Sequence, residues 1–127
     1  MRKPEEKQRP DLSKIDVIYE DNHIIVINKL PGQIVQSDKT KDTSLAELVK
    51  AYIKDKYNKP GDVYLGIVHR LDRPTSGIVI FAKTSKAASR LSTMFQNHEI
   101  KKTYWAITAT LPEGGMGTLT HYLRKNE

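Results

Sequence analysis

Cysteine is missing from all 127 positions. That excludes a disulfide framework, a thiolate zinc site and a cysteine nucleophile. Long apolar runs are missing as well: Ile24 to Ile27 is typical of the apolar stretches here and far too short to cross a bilayer. No basic start followed by a long apolar stretch marks secretion, so the cytoplasm is the expected compartment. Acidic residues are the minority, 15 Asp+Glu against 21 Lys+Arg, for a formal net charge of +6. The excess suits a polyanionic partner. With 38% hydrophobic and 28% charged residues the chain is globular without being rich in core material, and its length allows one compact domain.

The charge is unevenly placed. Residues 1–14 hold five cations and three acids, with Pro4 and Pro10 interrupting any helix, and read as a basic flexible arm ahead of a domain over 15–127. Residues 15–63 are nearly neutral. From Tyr64 to Trp105 seven cations face two acids. They are Arg70, Arg73, Lys83, Lys86, Arg90, Lys101 and Lys102, a clustering that favours an anion-facing surface. A solvated helix face would account for Lys86 and Arg90 alone.

The pattern of residues predicts strands mixed with two helices. Ile15–Tyr19 and His23–Asn28 are short β-branched runs around the turn-forming triplet Glu20-Asp21-Asn22, which predicts a hairpin. Pro31-Gly32 turns the chain again. Ser44 and Glu47 have the spacing of a capping box, and Leu45, Leu48, Val49, Tyr52 and Ile53 form one stripe of a helix over 45–56. Leu65–Val68 and Ile78–Ala82 read as buried strands, Ser85 as the cap of a second helix with Ala88, Leu91 and Phe95 inward. Thr103–Thr108 reads as a strand with Trp105 and Ile107 in the core, and Leu119 as the centre of a weak last one. There is no strict βαβ alternation, so the expected class is α+β.

Between the two buried strands lies His69-Arg70-Leu71-Asp72-Arg73-Pro74-Thr75-Ser76-Gly77, a polar loop held at both ends. Pro74 restricts Arg73 to extended backbone and Gly77 permits a turn that other residues resist. A positioned, ionised Asp72 is suited to act as nucleophile or general base. The plainer alternative is an Asp that pairs with the flanking arginines, and composition alone favours it.

HRLDRPTSG resembles the signature loop of the RluA-type pseudouridine synthases. Ile25–Gln36, IVINKLPGQIVQ, is similar to that family's early NKPxG segment, with Leu30 where Pro is usual. Lys101–Ile107, KKTYWAI, is similar to its KxYxA strand. The resemblance covers residues 15–123. It implies a pseudouridine synthase fold with a mixed, mostly antiparallel sheet and flanking helices, and isomerisation of uridine to pseudouridine in structured RNA, ribosomal or transfer. By resemblance Asp72 is the catalytic residue and Tyr104 contacts the target uracil. Arg70 supports the phosphates or the space left by a flipped nucleotide. Arg73, Lys83, Lys86, Lys101 and Lys102 are the expected RNA contacts. No hydride, phosphate or electron moves in this reaction, so no cofactor is expected. The four histidines lack ligand spacing, so no metal is expected either.

The family's domain continues to a GRxHQIR segment whose first Arg pairs with the catalytic Asp, and nothing like it occurs up to Glu127. The chain is therefore expected to be the N-terminal portion of a catalytic domain. Alone it should be inactive and prone to self-association through unpaired edges. An S4-type RNA-binding module, common in relatives, is not found. The alternative function is an RNA-binding remnant of the same fold without turnover.

Overall fold

Glu20-Asp21-Asn22 reverses the chain because Asp21 folds over its own backbone. Its Oδ1 accepts hydrogen bonds from the amides of His23 (2.7 Å) and Ile24 (2.8 Å). A computed structural model describes residues 11–126. In it the hairpin comprises β1 (Val17–Glu20) and β2 (Ile24–Lys29), paired antiparallel with an irregularity between Val17 and Tyr19. Burial alternates along β2, with Ile25, Ile27 and Lys29 turned inward.

The helix α1 (Leu45–Lys56) covers the inward face. Ser44 caps it by accepting from the Glu47 amide at 3.2 Å. Only half of the expected capping box forms, because Glu47 accepts from the Ser37 hydroxyl at 2.8 Å instead of returning to Ser44. Leu45, Val49 and Ile53 of α1 share one core with Ile25 and Ile27, and Tyr52 packs at its margin.

Two more strands follow, β3 (Gly66–Ile67) and β4 (Gly77–Ala82), and then α2 (Ser85–Gln96). The sheet order is β1-β2-β4-β3, and every pairing among the described residues is antiparallel. The class is thus α+β, with the expected sheet in its wholly antiparallel form. The strand β4 runs through the centre of the sheet and Val79 and Phe81 complete the core, but Ile78 is 64% exposed. Burial of β4 is one-sided where a fully buried strand was expected, because none of the described elements covers Ile78. The cap of α2 is Thr84, whose hydroxyl accepts from the Ala87 amide at 3.1 Å, one residue before the expected Ser85. Ala88, Leu91 and Phe95 are half-buried. Ala88 sits so close to Gly66 that a Cβ there would lie 2.8 Å from its methyl carbon.

The structure departs from the sequence reading at residues 11–14 and after α2. Residues 1–10 of the expected arm lie outside the described residues, while Leu12–Lys14 form a 3-10 turn capped by Asp11 and tied inward by Gln33, which donates to the Lys14 carbonyl at 3.1 Å. Residues 103–108 and those around Leu119 form no strand. Trp105 is 98% exposed, and Ile107 is equally open, so neither belongs to the core. Their alternation has no sheet partner or apolar face among the described residues to bury against, and pattern without a partner does not make a strand.

Candidate active site

The loop between β3 and β4 is fixed from below by a lysine. Alternation along β2 puts Lys29 on the same face as Ile25 and Ile27, and it is fully buried. Its ammonium has three donors and uses them on three backbone carbonyls: Thr75 (2.6 Å), Arg73 (3.0 Å) and Leu30 (3.2 Å). Burial lowers the Lys29 pKa, the Arg73 charge lowers it further, and the Asp72 carboxylate opposes both. A buried cation therefore stands behind the loop that carries Asp72. The sequence reading passed over Lys29, although its place two residues after Ile27 was the available signal.

The loop and the early turn, separate motifs in the sequence, are bonded to each other. Gly32, at φ +88, donates its amide to the Arg73 carbonyl at 2.8 Å, and Arg73 Nε donates back to the Gly32 carbonyl at 3.0 Å. The Thr75 amide donates to the Asp72 carbonyl at 3.0 Å and closes the turn around Pro74. Leu71 packs on the core, and Gly77 leaves the loop at φ +133, where a side chain would be strained.

These contacts shape a cleft of about 440 Å³, with Ile34, Val35, Gln36 and Asp38 on one side and Arg70 to Arg73 on the other. That lies within the range of small-ligand sites, about 300–1,000 Å³. Asp72 and Arg70 are exposed there. Among the described residues Asp72 makes no side-chain hydrogen bond and no ion pair, and Arg70 makes no ion pair. The arginine that does pair is Arg73, and its partner is Asp42 at 2.6 Å. An Asp72 neutralised by its neighbouring arginines is therefore not what the loop contains.

The expected RNA contacts divide into two groups. Arg73 is engaged as a strut through Asp42 and Gly32. Lys83 is more deeply committed, its side chain 9% exposed. It donates to Glu20 at 2.7 Å and to the Asp21 carbonyl at 2.8 Å, and stands 4.8 Å from the centre of the Tyr57 ring. Burial alone would raise the pKa of Glu20, but hydrogen bonds from Lys83, Tyr57, Lys56 and Tyr52 outweigh it and hold the group at about 2. Lys83 is thereby buried beneath the surface, whereas Arg73, although paired with Asp42, keeps an exposed side chain at the Asp72 cleft. Lys86, Arg90, Lys101 and Lys102 remain exposed. Tyr104 is 63% exposed and does not line the Asp72 cleft.

Among the described residues no helix is long and apolar enough to cross a membrane. Residues 23–127 match the RNA pseudouridylate synthase family. A tRNA pseudouridine synthase C of Vibrio cholerae is 37% identical over 93 residues, covering 73% of this chain and 36% of that protein. An RNA pseudouridine synthase of Haemophilus influenzae is 34% identical over 112 residues, covering 88% of this chain and 46% of its own length. The chain thus spans less than half of either relative. In fold it is similar to human RNA pseudouridylate synthase domain containing 4, with a TM-score of 0.56 at 21% identity over 66% of this chain and 30% of that one. The family match takes in both Lys29 and the Asp72 loop and extends over more than half of the sequence, so this chain belongs to the RNA pseudouridylate synthases.

Proposed function

We propose that the complete protein containing these residues converts uridine to pseudouridine in structured RNA, ribosomal or transfer, and that Asp72 is the group that acts on the nucleoside. The observation that carries this is the Asp72 carboxylate, exposed in a cleft of about 440 Å³ without an ion-pair partner among the described residues. In the reaction the bond from C1′ to N1 breaks, the uracil turns, and C1′ joins C5. The C5 proton leaves and N1, freed from C1′, gains one, so the atoms balance without an external reactant. Asp72 acts by attacking the nucleoside or by removing a ribose proton. Arg70, beside it in the cleft, meets the phosphates or fills the gap left by the flipped nucleotide. Lys86, Lys101 and Lys102 hold the RNA backbone, and Tyr104 stacks on the base. The proposed setting is the cytoplasm.

The test uses the complete gene product and transcribed tRNA and rRNA, with pseudouridine quantified by mass spectrometry of nucleosides. The unsubstituted protein should form pseudouridine. Asp72→Asn should form none above a no-protein control while binding the same RNA, because an amide is neither nucleophile nor base. Turnover by Asp72→Asn refutes the assignment. RNA binding without turnover by the unsubstituted protein selects the alternative, a remnant that keeps the fold and the RNA surface only.

A further inference from the structure

The strand β3 stops at Ile67, paired with Phe81, so the ladder leaves the amide of Ile80 without its next backbone partner. A side chain takes that place. His69 Nε2 accepts a hydrogen bond from the Ile80 amide at 3.0 Å, so one ring joins the strand that enters the Asp72 loop to the strand that leaves it. Accepting at Nε2 assigns the ring proton to Nδ1. The same ring stacks on Phe95 of α2, with centroids 4.7 Å apart and planes at 24°. Lys102 Nζ lies 5.8 Å from the centre of the Phe95 ring, and Tyr104 follows two residues later.

We propose that His69 is a positioning residue whose neutral imidazole, through Phe95 and Lys102, registers the Tyr104 segment against the Asp72 loop. The inference rests on the function proposed above for those two residues. Protonating the ring turns its acceptor into a second N–H facing the Ile80 N–H, and places a second cation near Lys102. The link then opens at both ends. Lys102 is the charged group that faces the ring from the C-terminal segment. Helix α2 presents Phe95 and β4 the Ile80 amide, neither charged, and on its own loop His69 is followed by Arg70 and Asp72. Burial, and then the Lys102 charge, hold the His69 pKa below its ordinary value of 6.5, so the link is closed at neutral pH and opens on the acid side.

The experiment follows the complete protein across about pH 5 to 8 by two readouts. The first is NMR of the His69 ring, the Ile80 amide and the Tyr104 ring. The second is kcat/KM for pseudouridine formation. As the His69 ring protonates, the Ile80 and Tyr104 signals should move with the same midpoint, below 6.5. One pH unit beneath that midpoint kcat/KM should be down about tenfold. His69→Gln, which keeps an acceptor and cannot protonate, should lose this acid limb. Phe95→Leu keeps the histidine and removes the stack, and should uncouple Tyr104 from the titration while Ile80 still follows it. An acid limb unchanged in His69→Gln, or a His69 titration that leaves the Ile80 and Tyr104 signals in place, overturns the proposal. Absence of turnover at every pH would instead count against the proposed function, and the NMR titration would still decide the coupling.

Discussion

Lys29→Met keeps the length and apolar stem of the side chain and removes only the ammonium, so it isolates the attachment of the Asp72 loop to the core. The three carbonyls that lose a donor are not equivalent. The Arg73 carbonyl keeps the Gly32 amide at 2.8 Å, and the Leu30 carbonyl keeps the Gln33 amide at 3.3 Å. The Thr75 carbonyl has the Lys29 ammonium, at 2.6 Å, as its hydrogen-bond partner and keeps no other among the described residues. An orphaned carbonyl in such a place costs about 1–3 kcal/mol, and two more charge-assisted bonds go with it. Methionine in turn escapes the cost of burying a charge. The net expectation is a loss of about 2 kcal/mol, which lowers Tm by roughly 5–15 °C for a unit of this size. Thermal unfolding followed by circular dichroism measures it. Amide hydrogen exchange at Gly32 and Thr75, which bond to Arg73 and Asp72 respectively, reports whether the loop itself loosens. Lys29→Arg should not rescue, because a planar fork cannot reach three carbonyls arranged around one nitrogen. A Lys29→Met protein with Tm within about 1 °C of the wild type and unchanged protection at both amides would refute the reasoning.

Glu20 supplies a pH signature. Its folded pKa of about 2 against an ordinary 4.5 means that its contribution is complete above pH 4.5 and is lost as the pH falls toward 2, a difference of about 3 kcal/mol. Urea unfolding across that window should show a shallower acid decline in Glu20→Gln, and an identical decline would refute the pairing as its source. Gly66→Ala places a methyl group 2.8 Å from Ala88 Cβ and should cost about 1–3 kcal/mol by pushing α2 off the sheet. Wild-type stability there would mean that α2 is not held against β3. Lys86→Glu with Lys101→Glu should weaken RNA binding and flatten its dependence on salt, whereas Lys83→Glu should instead lower Tm. Filter binding at several salt concentrations separates the two, and equal effects on affinity would refute the division.

The amino-acid sequence by itself determined the elements whose cause is local. The Asp21 turn, the cap and stripe of α1, the stripe of α2 and the strand-loop-strand around Asp72 each follow from residues within a few positions of one another. The nine-residue loop was legible as a site for the same reason, since its polar run sits between apolar ones. What only the tertiary structure decided is which distant groups meet. Glu20 reaches Lys83 across 63 positions, Lys29 reaches Thr75 across 46, and Arg73 reaches Asp42 across 31. Sequence spacing carries no record of such pairings, so a basic cluster reads as one free surface although Lys83 and Arg73 are each paired with an acid. Trp105 and Ile107 show the same limit from the other side. Their alternation specifies a face, but a face is buried only where another element arrives to cover it.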